Sequence, residues 1–167
     1  MNEIRTARLL LRRARIEDLE ALHAVFSRPE AMRYWSRPPH AGLEETREWL
    51  RSMIEAPPEL SDDYVVECEG RVIGKAGFYR LPEIGFILHP DYWGRGLARE
   101  AVEAVIARAF AGFPVEALTA DVDPRNERSL ALLKGFGFVE TGRAEATVKL
   151  GEELCDSVYL ALRRPTK

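Results

Sequence analysis

The chain has 167 residues, of which 46% are hydrophobic and 31% charged, and its formal net charge is −3. That length and balance predict a single domain, residues 1–167, with one hydrophobic core. The slight acidic excess disfavours direct binding to nucleic acid or to an anionic membrane, because such surfaces usually attract a basic protein. No apolar stretch is long enough to span a bilayer and the amino terminus lacks a signal-peptide pattern, so we expect a cytoplasmic protein.

The cysteines give no sign of a disulfide framework or a metal site. Only Cys68 and Cys155 are present, without Cys-x-x-Cys spacing and without a neighbouring histidine pair. We therefore expect no metal, and both cysteines are predicted to be small core residues.

The amino-terminal third predicts a strand followed by two helices. Arg8–Ala14 is a short apolar run bounded by charge, and residues 16–26 place apolar side chains at helical spacing. Residues 43–54 show a second helical face. Between the helices, residues 27–42 contain three prolines and no periodicity, which predicts a long loop.

The remainder predicts a sheet interrupted by helices. Two β-rich runs flank Glu69-Gly70, a plausible hairpin turn, and residues 82–90 continue as a third strand stopped by a proline. A long amphipathic helix ending at Gly112, a buried strand, a short helix at 126–138 and two final strands follow. This order predicts an α/β (mixed α+β) domain with one core.

Two glycines stand where the long helix begins. The first N–H groups of a helix lack partners within it and carry partial positive charge, which suits a phosphate. Gly94 and Gly96 allow the backbone to turn sharply and approach a ligand, and Ala98 keeps the next position small. Arg95 and Arg99 add positive charge. The alternative is a plain turn with solvated arginines.

Two familiar phosphate-binding loops fit this segment poorly. A P-loop needs a Gly-Lys-Ser/Thr sequence, which is absent. A dinucleotide-binding fold places its glycines directly after a first strand, whereas His89–Trp93 intervenes here and Arg99 occupies the place of the third glycine.

Three segments of the chain resemble the GNAT acyl-CoA-dependent N-acetyltransferases, within them the RimJ/RimL type. They are TARLLLRRARIEDLEAL, EIGFILHPDYWGRGLAREA and NERSLALLKGFGF, and the likeness extends over nearly the whole chain. Trp93 departs from the Gln or Arg usual in that family's loop. The resemblance implies the GNAT acyl-CoA N-acyltransferase fold, with a largely antiparallel central sheet flanked by helices.

The resemblance also implies acetyl-CoA as cosubstrate. Its pyrophosphate would lie on the amides of Arg95, Gly96, Leu97, Ala98 and Arg99. Its pantetheine arm would pair with the backbone of Ile87 and Leu88, and Asn126 and Ser129 would lie near its amide and its sulfur.

Acetyl transfer needs a base for the amine and an acid for the leaving thiolate. Glu83 is the first candidate for the base, because several GNAT enzymes have a glutamate at that strand position; the alternative is an exposed carboxylate at a strand end. Ser129 is the candidate acid by resemblance. Tyr159 is a second candidate, although a half-buried strand tyrosine is the preferred explanation of it. Asn126 has a further role open to it, as the cap of its own helix.

The acceptor is the least determined part of the prediction. By resemblance the loop 34–42 would overhang the acceptor, so that Tyr34, Trp35 and His40 would touch it. The RimJ/RimL likeness suggests the amino-terminal amine of a ribosomal or other protein. A small amine (polyamine, amino acid or antibiotic) and a non-catalytic acetyl-CoA sensor are the alternatives, and the oligomeric state stays open.

Overall fold

The computed structural model describes residues 3–166, which form one eight-stranded sheet with helices on both faces. The strands are β1 (Glu3–Arg5), β2 (Leu9–Arg12), β3 (Asp62–Cys68), β4 (Arg71–Arg80), β5 (Glu83–Leu88), β6 (Ala117–Val122), β7 (Val139–Leu150) and β8 (Glu153–Arg163). The helices are α1 (Leu19–Phe26), α2 (Pro29–Met32), α3 (Leu43–Glu55), α4 (Leu97–Gly112) and α5 (Glu127–Gly135). The mixed α+β class is therefore confirmed.

The strand order is β1-β2-β3-β4-β5-β6-β8-β7, and every neighbouring pair is antiparallel except β5 and β6. The predicted hairpin turn is confirmed, since Glu69 and Gly70 join β3 to β4 with φ of 51° and 78°. Two elements escaped the sequence: β1 has only three residues, and α2 is one short turn inside the predicted loop.

The core is divided between the two faces of the sheet. On one face, α4 buries Leu97, Ala101, Val102, Val105 and Ala109 against β-strand residues. On the other, α1 and α3 pack around Phe26 and Leu50, both with 0% exposure. The predicted apolar face of the long helix is therefore confirmed. Both cysteines are buried and free, as expected.

A buried ion pair fixes the start of α1 against the sheet. Arg12 at the end of β2 donates to both carboxylate oxygens of Asp18 at 2.9 and 2.8 Å, and to Glu67 on β3 at 2.9 Å. Both Arg12 and Asp18 are buried. In residues 3–166, no helix is both long and apolar enough to cross a membrane.

Candidate active site

The parallel strands β5 and β6 are neighbours in the sheet, but they pair over a very short length. Among the described residues, the ladder between β5 and β6 is confined to Glu83 and Thr119, with the Thr119 amide donating to the Pro82 carbonyl at 2.9 Å. Beyond Glu83, this edge of β5 has no ladder partner in β6. Two cavities open at that gap, one on the side of α4 and one on the side of β7 and β8.

The first cavity, of about 680 Å³, lies over the start of α4. Gly94 and Gly96 both adopt left-handed backbone conformations, with φ of 75° and 74°, and Gly96 is the N-cap residue of α4. The helix begins without a side-chain cap, so its first N–H groups remain available to a ligand. A Cβ on Gly94 would meet no atom within 4 Å, which leaves that side of the loop open.

The lining of this cavity suits an elongated anion with apolar parts. It includes Ile87 and Leu88 of β5, the helix-start residues Gly96, Leu97, Ala98 and Arg99, and the side chains of Arg33, Arg125 and Arg128. Arg128 lies over the Trp93 ring at 5.5 Å, and Arg99 over the Phe136 ring at 5.2 Å. The residues present therefore fit a phosphate group at the helix start and a chain running along β5.

The second cavity, of about 220 Å³, is lined by carboxylates. Glu83, Asp121, Asp123 and Asp156 face it, and no lysine or arginine is among its lining residues within 3–166. Asp123 is buried and ion-paired with Arg125 at 2.7 Å. Glu83, Asp121 and Asp156 remain partly open to solvent. The cavity is thus an electronegative pocket suited to a cation.

The two cavities share five lining residues: Tyr34, Trp35, Phe86, Asn126 and Ser129. A group entering one cavity can therefore meet a group entering the other between β5 and the start of α5. This shared boundary is the candidate reaction centre.

Glu83 stands at the edge of the electronegative cavity. Burial, and secondly the nearby charge of Asp121, raise the pKa of Glu83 above its ordinary value. A carboxylate with a raised pKa is a stronger base once ionised, and it faces the cavity suited to an amine.

Asn126 and Ser129 lie at the start of α5. The Asn126 side chain accepts a hydrogen bond from the Ser129 amide at 3.3 Å, which makes Asn126 the N-cap of the helix. Both residues line both cavities. Asn126 therefore both caps α5 and lies at the boundary between the two cavities.

Tyr34 and Trp35, in the segment that follows α2, also line both cavities. The Tyr34 ring centroid is 5.1 Å from the guanidinium carbon of Arg33 and 5.6 Å from that of Arg125. Trp35 packs edge-on against Phe26 at 5.6 Å, so the core of the α1 face holds it in place.

Two residues assigned from the sequence lie elsewhere. His40 is buried, stacks on Phe26 at 5.1 Å and shares the Thr46 hydroxyl with His23, each at 2.7 Å. Tyr159 pairs with Asp121 across β6 and β8 but lines neither cavity. The Arg95 side chain, predicted to add positive charge, donates to the Asp91 carbonyl at 3.2 Å and does not line the first cavity. That its amide binds the pyrophosphate stays a prediction.

The sequence reasoning missed the carboxylates around Glu83. Thr119 pairs with Glu83, and side chains alternate along a strand, so Asp121 and Asp123 fall on the same side as Glu83. That alternation was visible in the stretch ALTADVD. The sequence did not show that this stretch forms the strand next to Glu83, because α4 separates β5 from β6 along the chain.

Comparison with known proteins agrees with this geometry. A family model described as Acetyltransferase (GNAT) domain matches residues 8–139. The chain is 29% identical over 169 residues to an uncharacterized N-acetyltransferase, p20, of Bacillus licheniformis, covering 96% of this chain and 94% of that protein.

A further relative and a solved structure of similar fold differ in the acceptors that their names state. The spermidine N(1)-acetyltransferase of Escherichia coli K12 is 30% identical over 135 residues, 75% of this chain and 70% of that protein. The solved structure of RimL, a ribosomal L7/L12 alpha-N-protein acetyltransferase in complex with coenzyme A, superposes with a TM-score of 0.83 at 18% identity, covering 97% of this chain and 98% of that one. The chain therefore belongs to the GNAT family of acetyltransferases, and it is an N-acetyltransferase of the GNAT fold.

Proposed function

We propose that the protein transfers the acetyl group of acetyl-CoA to a cationic primary amine bound in the electronegative cavity. The observation that carries the proposal is the shared boundary: a cavity suited to a phosphorylated cosubstrate meets a carboxylate-lined cavity at Asn126, Ser129 and Phe86. Ionised carboxylates attract an ammonium group, and Glu83 is placed to take its proton.

The chain's groups divide the proton transfers between them. Glu83 accepts a proton from the bound ammonium, directly or through water, and so frees the nitrogen lone pair. As the nitrogen bonds to the thioester carbonyl carbon, a backbone N–H of β5 near Phe86–Leu88 donates to the carbonyl oxygen. The carbon–sulfur bond then breaks, and the Ser129 hydroxyl supplies the proton for the departing thiolate. The proton that the bonded nitrogen still carries passes, through water, to Ser129 and restores its hydroxyl. The amide and the free thiol are the products.

For the acceptor, the geometry supports a small polycationic amine best. The cavity is about 220 Å³, and carboxylates beyond Glu83 are available to hold a second ammonium group. The spermidine N(1)-acetyltransferase relative, 30% identical, supports the same class.

The amino terminus of a protein is the second candidate acceptor. It is the acceptor that the RimJ/RimL resemblance of the sequence suggested. Glu83, Asp121 and Asp156 keep partial access to solvent, so a polypeptide bound by its first residue has a way out of the cavity.

The experiment is thiol release from acetyl-CoA, measured over a panel of polyamines, peptides with varied amino termini, amino acids and aminoglycosides. Each rate is compared with the rate without acceptor, and the mass of the product identifies the acetylated amine. We expect release with polyamines. Release with peptides alone would replace the first acceptor class by the second, and saturable acetyl-CoA binding without release from any acceptor would favour the non-catalytic sensor.

A further inference from the structure

The loop that begins α4 is tied from behind to the turn between β1 and β2. Glu100, in the first turn of α4, accepts hydrogen bonds from the Thr6 hydroxyl at 2.6 Å, the Arg8 amide at 2.7 Å and Arg8 Nε at 2.7 Å. A second guanidinium nitrogen of Arg8, Nη1, donates to the Arg95 carbonyl at 2.7 Å. Arg8 therefore joins the helix to the loop. Its partners Glu100 and Arg95 lie 92 and 87 positions further along the chain.

The bond to the Arg95 carbonyl orients the next peptide amide. In a trans peptide, the carbonyl of one residue and the N–H of the following residue point in opposite directions. Because the Arg95 oxygen is held towards Arg8, the Gly96 N–H is directed to the other side of the loop. Gly96 lines the first cavity, whereas Arg8 and Glu100 do not.

The loop needs such an anchor, because its two left-handed glycines allow many other backbone conformations. A loop that is already ordered loses less entropy when a ligand binds. The Glu100 side chain is largely shielded from solvent, with 16% of it exposed. Partial burial acts to raise its pKa, but hydrogen bonds from Thr6 and Arg8 lower the pKa overall, so the carboxylate is ionised at neutral pH.

We infer that Arg8 and Glu100 are positioning residues for the cosubstrate, holding the Arg95-Gly96 peptide with its N–H towards the pyrophosphate. The inference rests on the acetyl-CoA site proposed above. It concerns the phosphate end of the ligand only, since neither residue lines the boundary where the acetyl group would react.

The test compares two ligands, one with and one without the phosphate end of the cosubstrate. Calorimetry gives the Kd of acetyl-CoA and of acetyl-pantetheine, which lacks the pyrophosphate and the 3′-phosphoadenosine attached to it, for the wild type and for Arg8→Ala, Arg8→Lys and Glu100→Ala. We expect each substitution to weaken acetyl-CoA binding by roughly tenfold, because a Gly96 N–H that is no longer held in place loses about one charge-assisted hydrogen bond to the pyrophosphate, and to leave acetyl-pantetheine binding unchanged. Arg5→Ala is the matched control, because Arg5 lies in the same hairpin and, within residues 3–166, its side chain pairs only with Glu3, at 3.4 Å.

Arg8→Lys separates positioning from direct attraction. A lysine keeps the positive charge but cannot bond Glu100 and Arg95 with two nitrogens of one planar group. Full affinity in Arg8→Lys, unchanged affinity in Arg8→Ala, or an equal loss for both ligands in folded variants would each overturn the inference. Failure of the wild type to bind acetyl-CoA would instead refute the proposed cosubstrate site itself.

Discussion

Glu83 on β5 and Asp121 on β6 face one cavity from neighbouring strands, and the charge of Asp121 contributes to the raised pKa of Glu83. The two carboxylates are on the same side of the sheet because Glu83 pairs with Thr119, two positions before Asp121. Glu83 can thus serve as the base, while the charge of Asp121 raises the pKa of that base and attracts the cation.

Asp121→Asn should lower the pKa of Glu83, since a neighbouring negative charge that opposed ionisation is removed. The base is then ionised at lower pH, and the acidic limb of kcat/KM against pH should move downward. The measurement is that profile with a saturating cosubstrate. Asp156→Asn is the control, because Asp156 lines the same cavity without contributing to the shift at Glu83. An acidic limb that stays in place would argue against the coupling.

Glu83→Gln should reduce kcat by about 100-fold or more at pH values below the pKa of the amine, where the acceptor must lose a proton. The substitution keeps the shape of the side chain, so the Kd of acetyl-CoA should be unchanged. Rates at several pH values, with calorimetric binding on the same samples, check both statements. Equal rates for variant and wild type across pH would remove Glu83 as the base.

The same substitution should also change stability in a pH-dependent way. Because the pKa of Glu83 is higher in the folded protein than in the unfolded chain, the folded state holds the proton more strongly. The stability associated with this proton is complete below the unfolded pKa and is lost as pH rises through the folded one. Glu83→Gln should therefore have a higher Tm than the wild type at pH 8 and a similar Tm at pH 4. A lower Tm at pH 8 would contradict the direction of the shift.

Gly96→Glu should abolish acetyl-CoA binding, because a carboxylate and its bulk would stand at the helix start where the pyrophosphate is proposed to bind. Gly96→Ala is the milder companion. Its Cβ would meet Arg8 Nη2 at 3.5 Å, an ordinary contact, but the φ of 74° would cost about 1–3 kcal/mol of stability. Thermal unfolding and calorimetric titration distinguish the two effects. Unchanged affinity in folded Gly96→Glu would refute the proposed phosphate site.

Asn126→Ala should lower the free energy of unfolding by about 1 kcal/mol, since the Ser129 amide loses its capping oxygen. Asn126→Ser should retain most of that stability, because serine caps helices nearly as well. Urea unfolding of the three proteins measures the difference. If both variants keep full stability, the cap contributes nothing and Asn126 serves the ligand alone.

The fold was largely accessible from sequence because its signals are local. The helical spacing in 16–26 and 43–54, the hairpin at Glu69-Gly70 and the glycines before α4 all occur within short windows. β1 was missed for the same reason: three residues with only Ile4 apolar give no pattern. The parallel contact of β5 and β6 depends on α4 crossing between them, which periodicity does not reveal.

The site was accessible only in part, because it is assembled from distant segments. The glycine loop has a sequence signature, and so its place over a cavity was predictable. No sequence signature showed that His40 would be buried, bonded to the Thr46 hydroxyl and stacked on the Phe26 ring. Nor does any spacing rule connect Arg8 with Glu100, 92 residues later.

The sparse ladder between β5 and β6 has a consequence for how acceptor preference is set. Because backbone pairing among the described residues is limited to Glu83 and Thr119, the separation of the two strands also depends on how their buried side chains pack. One of these is Leu118 of β6, which is 0% exposed. Exchanging Leu118 for a larger or smaller residue would widen or narrow the cleft without altering any residue that lines either cavity. Acceptor size is therefore partly encoded in the hydrophobic interior, out of reach of the acceptor itself.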